Sequence, residues 1–323
     1  MNRFELVRAQ SASQARDLAA EKPGSVLKAG GIDLLDHLKE HLVEPPRLVD
    51  LKTIPALAAI AVDKDGTLKV GALATLAQVA THRAVRASHP ALARACGEAA
   101  SPQVRNVATI GGNLLQRPRC WYYRLESYKC FKKGGDTCFA VAGENRYHVL
   151  FGGGPVFAPH PSSAAVPLVA YGASFVIDGP KGGRVVPAAD FFLLPAQDPT
   201  RENVLEPGEV LKEIRVPSSA GWKSAYYEVR ERAAFDWPLA TVAIALKLSG
   251  GVVRDARVVL GQVATIPWRS AAAEAALVGK PVNGAAAEAA GKAAVEGAQP
   301  MSDNGYKVDL TATLVRRTVA SLA

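Results

Sequence analysis

No stretch of this 323-residue sequence approaches the roughly 20 consecutive apolar residues of a bilayer-spanning helix, so no membrane association is expected. The opening residues Met1 to Arg8 carry an acid and lack an apolar segment. That argues against a signal peptide and for the cytoplasm; a chain exported folded, on a partner's signal, would look the same. The glycine signatures GxGxxG and GxxxxGK[ST] are missing, which sets aside a Rossmann domain and a P-loop. Charge never gathers in a run: the net +8 is spread out, with no five successive Lys or Arg. No basic stripe is interleaved with aromatics, so nucleic acid is not an expected partner. The excess reads as a solvated, mildly basic surface, with a face for an acidic partner subunit or an anionic cofactor as the alternative. Cysteine is scarce, with four residues and no CxxC pair, which excludes a zinc ribbon. In a large intracellular protein disulfides are not the expected use of these thiols.

What is present is a pair of double-glycine turns about eighty residues apart. The first reads Lys28-Ala29-Gly30-Gly31-Ile32-Asp33-Leu34, the second Ala108-Thr109-Ile110-Gly111-Gly112-Asn113. Adjacent glycines permit positive φ and let backbone N–H groups approach a ligand with no Cβ in the way. Successive N–H groups form a concavity suited to phosphate. Two such turns suggest loops gripping one long ligand, and a dinucleotide is the natural candidate. Cys120, Cys130 and Cys138 follow within a stretch rich in Arg, Lys, Gly and Tyr, a clustering that points to metal or cluster ligation. Cys96 lies among Ala and Leu on a helical pattern and reads as a core thiol.

The pattern predicts alternating short strands and helices over the first two hundred residues. Thr75 is the expected N-cap of a helix from Leu76, and residues 90–98 form another. Residues 118–148 show no period and read as an inserted loop, of a length that needs something to order it. After a linker at Ser218–Gly221 come three strands and three Ala-rich helices, the last expected over Leu310–Leu322. This is a small α+β unit.

Taken together, Ala29-Gly30-Gly31-Ile32-Asp33-Leu34, Arg105-Asn106-Val107-Ala108-Thr109-Ile110-Gly111-Gly112-Asn113 and Pro161-Ser162-Ser163 resemble the FAD-binding subunit of the molybdenum hydroxylases, the xanthine and carbon monoxide dehydrogenase family. Gly261-Gln262-Val263-Ala264-Thr265-Ile266-Pro267-Trp268-Arg269 and Asn304-Gly305-Tyr306-Lys307-Val308 carry the same likeness, which covers essentially the whole chain. The segments Asn113–Cys120 and Asn145–His148 resemble the periplasmic aldehyde oxidoreductase type, whose flavin subunit carries a [4Fe–4S] insert. The resemblance implies an α+β fold: a two-lobed FAD-binding domain of the PCMH (vanillyl-alcohol oxidase-like) type over 1–219, with lobes of about 1–54 and 55–219 and the insert at 118–148. A C-terminal α+β domain with an antiparallel sheet and helices would span 222–323.

It further implies a redox subunit without catalytic side chains. FAD would be held by Lys28 to Leu34, by Ala108, Thr109, Gly111, Gly112 and Asn113, and by Ser162 and Ser163. Arg230 and Arg232 would lie near the isoalloxazine. Asp33 has two readings, a carboxylate at a helix N-terminus or a flavin ligand. Ser163 stands where the family usually has Asp, which keeps a hydroxyl and drops a charge. Partners would be a large molybdopterin-binding subunit and a small [2Fe–2S] subunit, with an external electron acceptor. Cys120, Cys130 and Cys138 match three ligands of the [4Fe–4S] cluster, but Val156 occupies the fourth position. Completion by Asp136 or hydroxide, a [3Fe–4S] centre and a loop of free thiols all remain open. A free-standing flavin oxidase of the same fold and an iron–sulfur scaffold are the competing functions. His160, in a turn before proline, is expected to be structural.

Overall fold

The computed structural model describes every residue except Ala234. The chain begins with three parallel strands, β1 (Glu5–Arg8), β2 (Val26–Lys28) and β3 (Arg47–Asp50), in the order β1-β3-β2. Two crossover helices join them, α1 (Ala12–Ala20) and α2 (Ile32–Lys39). Parallel neighbours require such crossovers. Ser11 caps α1, accepting from the Gln14 N–H.

A second sheet follows, antiparallel and ordered β4-β5-β8-β6-β7. Its first strands are β4 (Ile60–Val62) and β5 (Leu68–Gly71). Next come helices α3 (Leu76–Thr81), α4 (Arg83–Ser88), α5 (Pro90–Glu98), α6 (Pro102–Arg105) and α7 (Ile110–Leu114). Thr75 and Gln78 form a reciprocal capping box at α3, so the expected cap is present and stronger than a lone threonine. Cys96 is fully buried within the core of this lobe. The insert holds one helical turn, α8 (Trp121–Arg124), and a 3-10 turn at Phe131–Lys133. Helix α9 (Ala165–Ala170), hairpin β6 (Ser174–Asp178) and β7 (Arg184–Pro187), helix α10 (Ala188–Phe191) and strand β8 (Val210–Val216) complete the lobe.

The C-terminal unit is an antiparallel sheet ordered β12-β11-β10-β9. Its strands are β9 (Trp222–Arg230), β10 (Pro238–Ser249), β11 (Val252–Gly261) and β12 (Trp268–Arg269). Helices α11 (Ala271–Leu277), α12 (Gly284–Ala293) and α13 (Tyr306–Ala320) pack on it around a second core. Helix α13 starts four residues before the expected Leu310. Lys307, which breaks an apolar pattern in sequence, is in fact buried in its first turn. Among the described residues no helix is long and apolar enough to cross a membrane.

The insert is ordered by the protein itself, which removes the need for a bound group to explain its order. Its aromatic residues Trp121, Tyr122, Tyr128, Phe139 and Tyr147 pack against one another, mostly edge to face, and Trp121 and Tyr122 pack on His148. Arg117 and Lys132 share the carboxylate of Glu202, at 2.7 and 2.8 Å. At its far end Asn145 donates to Ser302 Oγ (2.8 Å) and accepts from the Asp303 N–H (2.9 Å). Asn304 donates to the carbonyls of His148 and Val149, both at 3.0 Å. Lys307 Nζ donates to the carbonyls of Tyr147 (3.1 Å), His148 (3.2 Å) and Gln262 (2.8 Å). Burial alone pushes this lysine's pKa down to about 7. Three carbonyl acceptors nonetheless engage all three N–H bonds, the arrangement of an ammonium.

Candidate flavin site and the cysteine-bearing insert

A cavity of about 630 Å³ opens where the first lobe, the second lobe and the C-terminal domain meet. That volume falls within the ~300–1,000 Å³ of small-molecule and cofactor sites. Both double-glycine turns form its wall, with Leu73, Leu76 and Leu211 as apolar lining and Glu228, Arg230, Phe235, Asp236, Trp237 and Pro238 on the C-terminal side. Every residue expected in the flavin site lines it except Ser162 and Arg232.

The two turns do different work. Gly31 has φ of 81° and is the N-cap of α2 without any side-chain cap. The N–H groups of Gly30 to Leu34 have no hydrogen-bond acceptor among the described residues. The first turn therefore presents free donors at the positive end of a helix dipole. The second turn differs from the expectation of free donors. Gly111 N–H donates to Ala72 O (2.8 Å), Gly112 N–H to Thr109 Oγ1 (3.1 Å) and Asn113 N–H to Thr109 O (2.8 Å). Its glycines serve close approach instead: a Cβ on Gly111 would lie 2.8 Å from Ala72 O. A Cβ on Gly30 would lie 2.3 Å from Val107 O, so the first turn is pressed against the second. This is a cradle that only glycine permits, and it fits a dinucleotide.

Asn113 accepts from Ser162 Oγ (2.7 Å) and from the Ala164 N–H (3.3 Å). Ser162 thus sits behind Asn113 and orients it rather than facing the cavity. Ser163 does reach the wall and is buried. Arg230 lines the cavity, but its guanidinium binds the Glu98 carbonyl and the buried carboxylate of Glu228, so its charge is already paired. Glu228 also accepts from Tyr226 Oη (2.6 Å). Arg232 is exposed, outside the cavity wall; its N–H donates to Asp236 Oδ2 (3.3 Å).

Asp33 is the hub between turn and insert. It lies 2.7 Å from Arg119 and 2.8 Å from Arg124, and it accepts the Arg117 N–H at 2.9 Å. Burial works to raise its pKa, but the two guanidiniums and this N–H hold it below the usual carboxylate value. Its oxygens meet protein donors, as a carboxylate at a helix terminus would, and the residue also lines the cavity. Arg119 itself, Phe235 and Trp237 line the cavity and were not expected there. Tertiary contact brings them in; the signal available in sequence was only that Arg119 adjoins the first clustered cysteine. His160 is buried against Phe192, its pKa driven down to about 3 by burial, and is a neutral structural group.

Within the insert, Cys120 Sγ lies 3.4 Å from His148 Nε2. Burial raises the pKa of Cys120 to about 11, while the backbone N–H groups of Tyr123 and Tyr122 oppose the rise. Burial raises that of Cys138 too, opposed by N–H groups of Phe157, Ala140 and Val141. Cys120 lies close enough to Cys138 and Cys130 for charge on either to raise its pKa, and Cys130 acts on Cys138 likewise. Val156 is buried next to Phe157. Among the described residues no three His, Cys, Asp or Glu side chains are grouped for a single metal ion.

Comparison with known proteins accords with this geometry. Residues 2–219 match the family described as the FAD binding domain in molybdopterin dehydrogenase, and residues 225–322 the CO dehydrogenase flavoprotein C-terminal domain. The chain belongs to the FAD-binding medium subunits of the molybdenum hydroxylase family. It is 35% identical, over 100% of its length and 98% of the relative's, to the aldehyde oxidoreductase FAD-binding subunit PaoB of Escherichia coli (strain K12). It is 30% identical, over 98% of its length and 96% of the relative's, to the carbon monoxide dehydrogenase medium chain of Hydrogenophaga pseudoflava. A solved carbon monoxide dehydrogenase from that organism, lacking the Mo-pyranopterin moiety, superposes with a TM-score of 0.78 at 31% identity, covering 99% of this chain and 97% of that one. The relatives are named as subunits of dehydrogenases and oxidoreductases, so this is an oxidoreductase subunit.

Proposed function

We propose that this chain carries FAD in a heteromeric molybdenum hydroxylase. In that role it passes electrons from a molybdopterin-binding large subunit and a [2Fe–2S] small subunit to an external acceptor, in the oxidation of aldehydes or N-heterocycles. The observation that carries the reading is the glycine cradle at the free N-terminus of α2, opening into a three-sided cavity. FAD, when bound, supplies the redox chemistry. The chain's own residues bind and orient it. The N–H groups of Gly30 to Leu34 face the pyrophosphate, Asn113 is aimed by Ser162, and the paired Arg230–Glu228 adds little net charge near the ring.

Among the described residues the cavity's Asp33, Glu209 and Glu228 are each paired with an arginine, and His37, whose Nε2 has no hydrogen-bond partner, has its pKa lowered to about 4 by burial and is a weak base. This favours a subunit over a free-standing flavin oxidase. Purified alone, the chain should bind FAD and yet give no turnover with aldehydes or purines; the assembled complex should turn over. Steady aldehyde oxidation by the isolated chain would overturn the proposal. The reading sets the complex in the cytoplasm, with the periplasm reached only by export together with a partner.

The insert is proposed to hold an iron–sulfur centre through Cys120, Cys130 and Cys138. Backbone N–H groups directed at two of these sulfurs suit thiolates, and Lys133 lies close enough for the charges of Cys130 and Cys120 to act on it. Iron should co-purify at roughly three to four atoms per chain. Cys130→Ser should lose that iron and keep FAD. Anaerobic preparations with flavin but neither iron nor sulfide would leave three free thiols in its place. Val156→Cys should raise iron retention, since a fourth thiolate completes the usual ligand set.

A further inference from the structure

We propose that Arg119 is a cofactor-binding residue, the guanidinium by which the cysteine-bearing insert reaches the cavity and grips the pyrophosphate of FAD. The inference rests on the FAD reading above and goes beyond it, because it makes the insert part of the flavin site.

Four observations converge on this side chain. It lines the cavity together with both glycine turns. Its Nη2 is pinned by Asp33 Oδ1 at 2.7 Å and Gln116 Oε1 at 2.9 Å, so the group is held rigidly beside the first turn of α2. Its Nη1 makes no hydrogen bond to any described residue. Its planar face lies 4.5 Å from the centroid of Trp237, across the cavity mouth on the C-terminal domain.

The electrostatics give this arrangement a reason. Asp33 places a negative charge at the helix terminus where a diphosphate would bind, and like charges there oppose binding. Arg119 and Arg124 from the insert cancel that charge. Asp33 thus meets two guanidiniums rather than one, while Arg117 and Lys132 are paired with Glu202 and Arg124 also with Asp36. A fork fixed through Nη2, with Nη1 making no hydrogen bond to any described residue, loses little further freedom on taking a phosphate oxygen. Cys120 is the next residue, so the same few atoms of backbone join the flavin site to the thiols.

The test uses the full-length chain, stripped of flavin and titrated with FAD by quenching of flavin fluorescence. Arg119→Met should weaken FAD binding by about ten- to a hundredfold, the range of a charge-assisted hydrogen bond to an anion. Trp237 emission should rise in the same variant as its stacked cation is lost. A double variant separates contact from simple neutralisation. If Arg119 touches the cofactor, Asp33→Asn in the Arg119→Met background leaves binding weak. Full recovery in the double variant would overturn the proposal, as would unchanged affinity in Arg119→Met. Arg119→Lys, which keeps the charge, guards against misfolding: it should melt like the parent yet bind FAD at least about fivefold more weakly, because a single ammonium cannot hold Asp33 and a phosphate in the fork geometry. Parent-like affinity in Arg119→Lys would equally overturn the proposal. Failure of the unmodified chain to bind FAD would instead overturn the FAD reading itself.

Discussion

Gly30→Ala is expected to yield a chain that purifies with under about a tenth of the parent's flavin. The added Cβ would stand 2.3 Å from Val107 O and 3.0 Å from Val107 C, and both are backbone atoms that no rotamer change can move aside. The two turns must separate, at a cost of at least ~1–3 kcal/mol for overpacking. That separation spoils the spacing on which the cradle depends. Gly111→Val acts from the opposite turn, where the Cβ would meet Ala72 O at 2.8 Å and Ala72 Cβ at 2.9 Å. Its effect is steric alone, since the φ of Gly111 is not in the left-handed region. Flavin absorbance per chain, read beside circular dichroism, checks both. A folded Gly30→Ala chain with full flavin would mean that the first turn does not touch the cofactor.

Lys307→Met should be the most destabilising single change outside the cavity, by roughly 3–5 kcal/mol. The ammonium serves three carbonyls. His148 O keeps a donor in Asn304, but the part-buried Tyr147 O and the buried Gln262 O lose theirs. Gln262 also holds a left-handed φ of 63°, a conformation that costs about 1–3 kcal/mol in a non-glycine residue and persists because neighbours enforce it. The melting temperature should drop by about 10 °C on the usual scaling for large domains. A shift under about 2 °C would show that water or a local rearrangement satisfies those carbonyls.

The regular elements could be read almost directly from the sequence. Residues 90–98 and 271–277 form helices within the expected limits because proline or serine starts them and apolar residues recur at helical spacing. Thr75 was legible as a cap because capping is a local interaction. The first glycine turn was legible for the same reason: its free donors follow from a local φ of 81°. The second turn was legible as a glycine requirement but not as to cause. Whether Gly111 N–H meets a ligand or Ala72 O depends on the turn just after β5, about forty residues away. Asp33 shows the same limit. Nothing near it in sequence announces Arg119 and Arg124, which lie in the insert. The insert looked structureless because its order comes from edge-to-face aromatics and from residues 302–307, none of which leaves a period.

That last attachment bears on how the protein is made. Lys307 closes on a carbonyl 160 residues earlier in the chain. At ~5–20 residues per second, a ribosome needs roughly 10–30 s to travel that distance. Throughout that interval the far end of the thiol segment, at Asn145 to His148, has been synthesised but not fastened, and the tunnel delays the fastening further. Any group that the thiols receive must therefore be delivered to a waiting, open segment or after release, and the C-terminal residues act as the closing step of maturation. A nascent chain arrested before residue 302 should expose the thiols to alkylation that the finished protein resists.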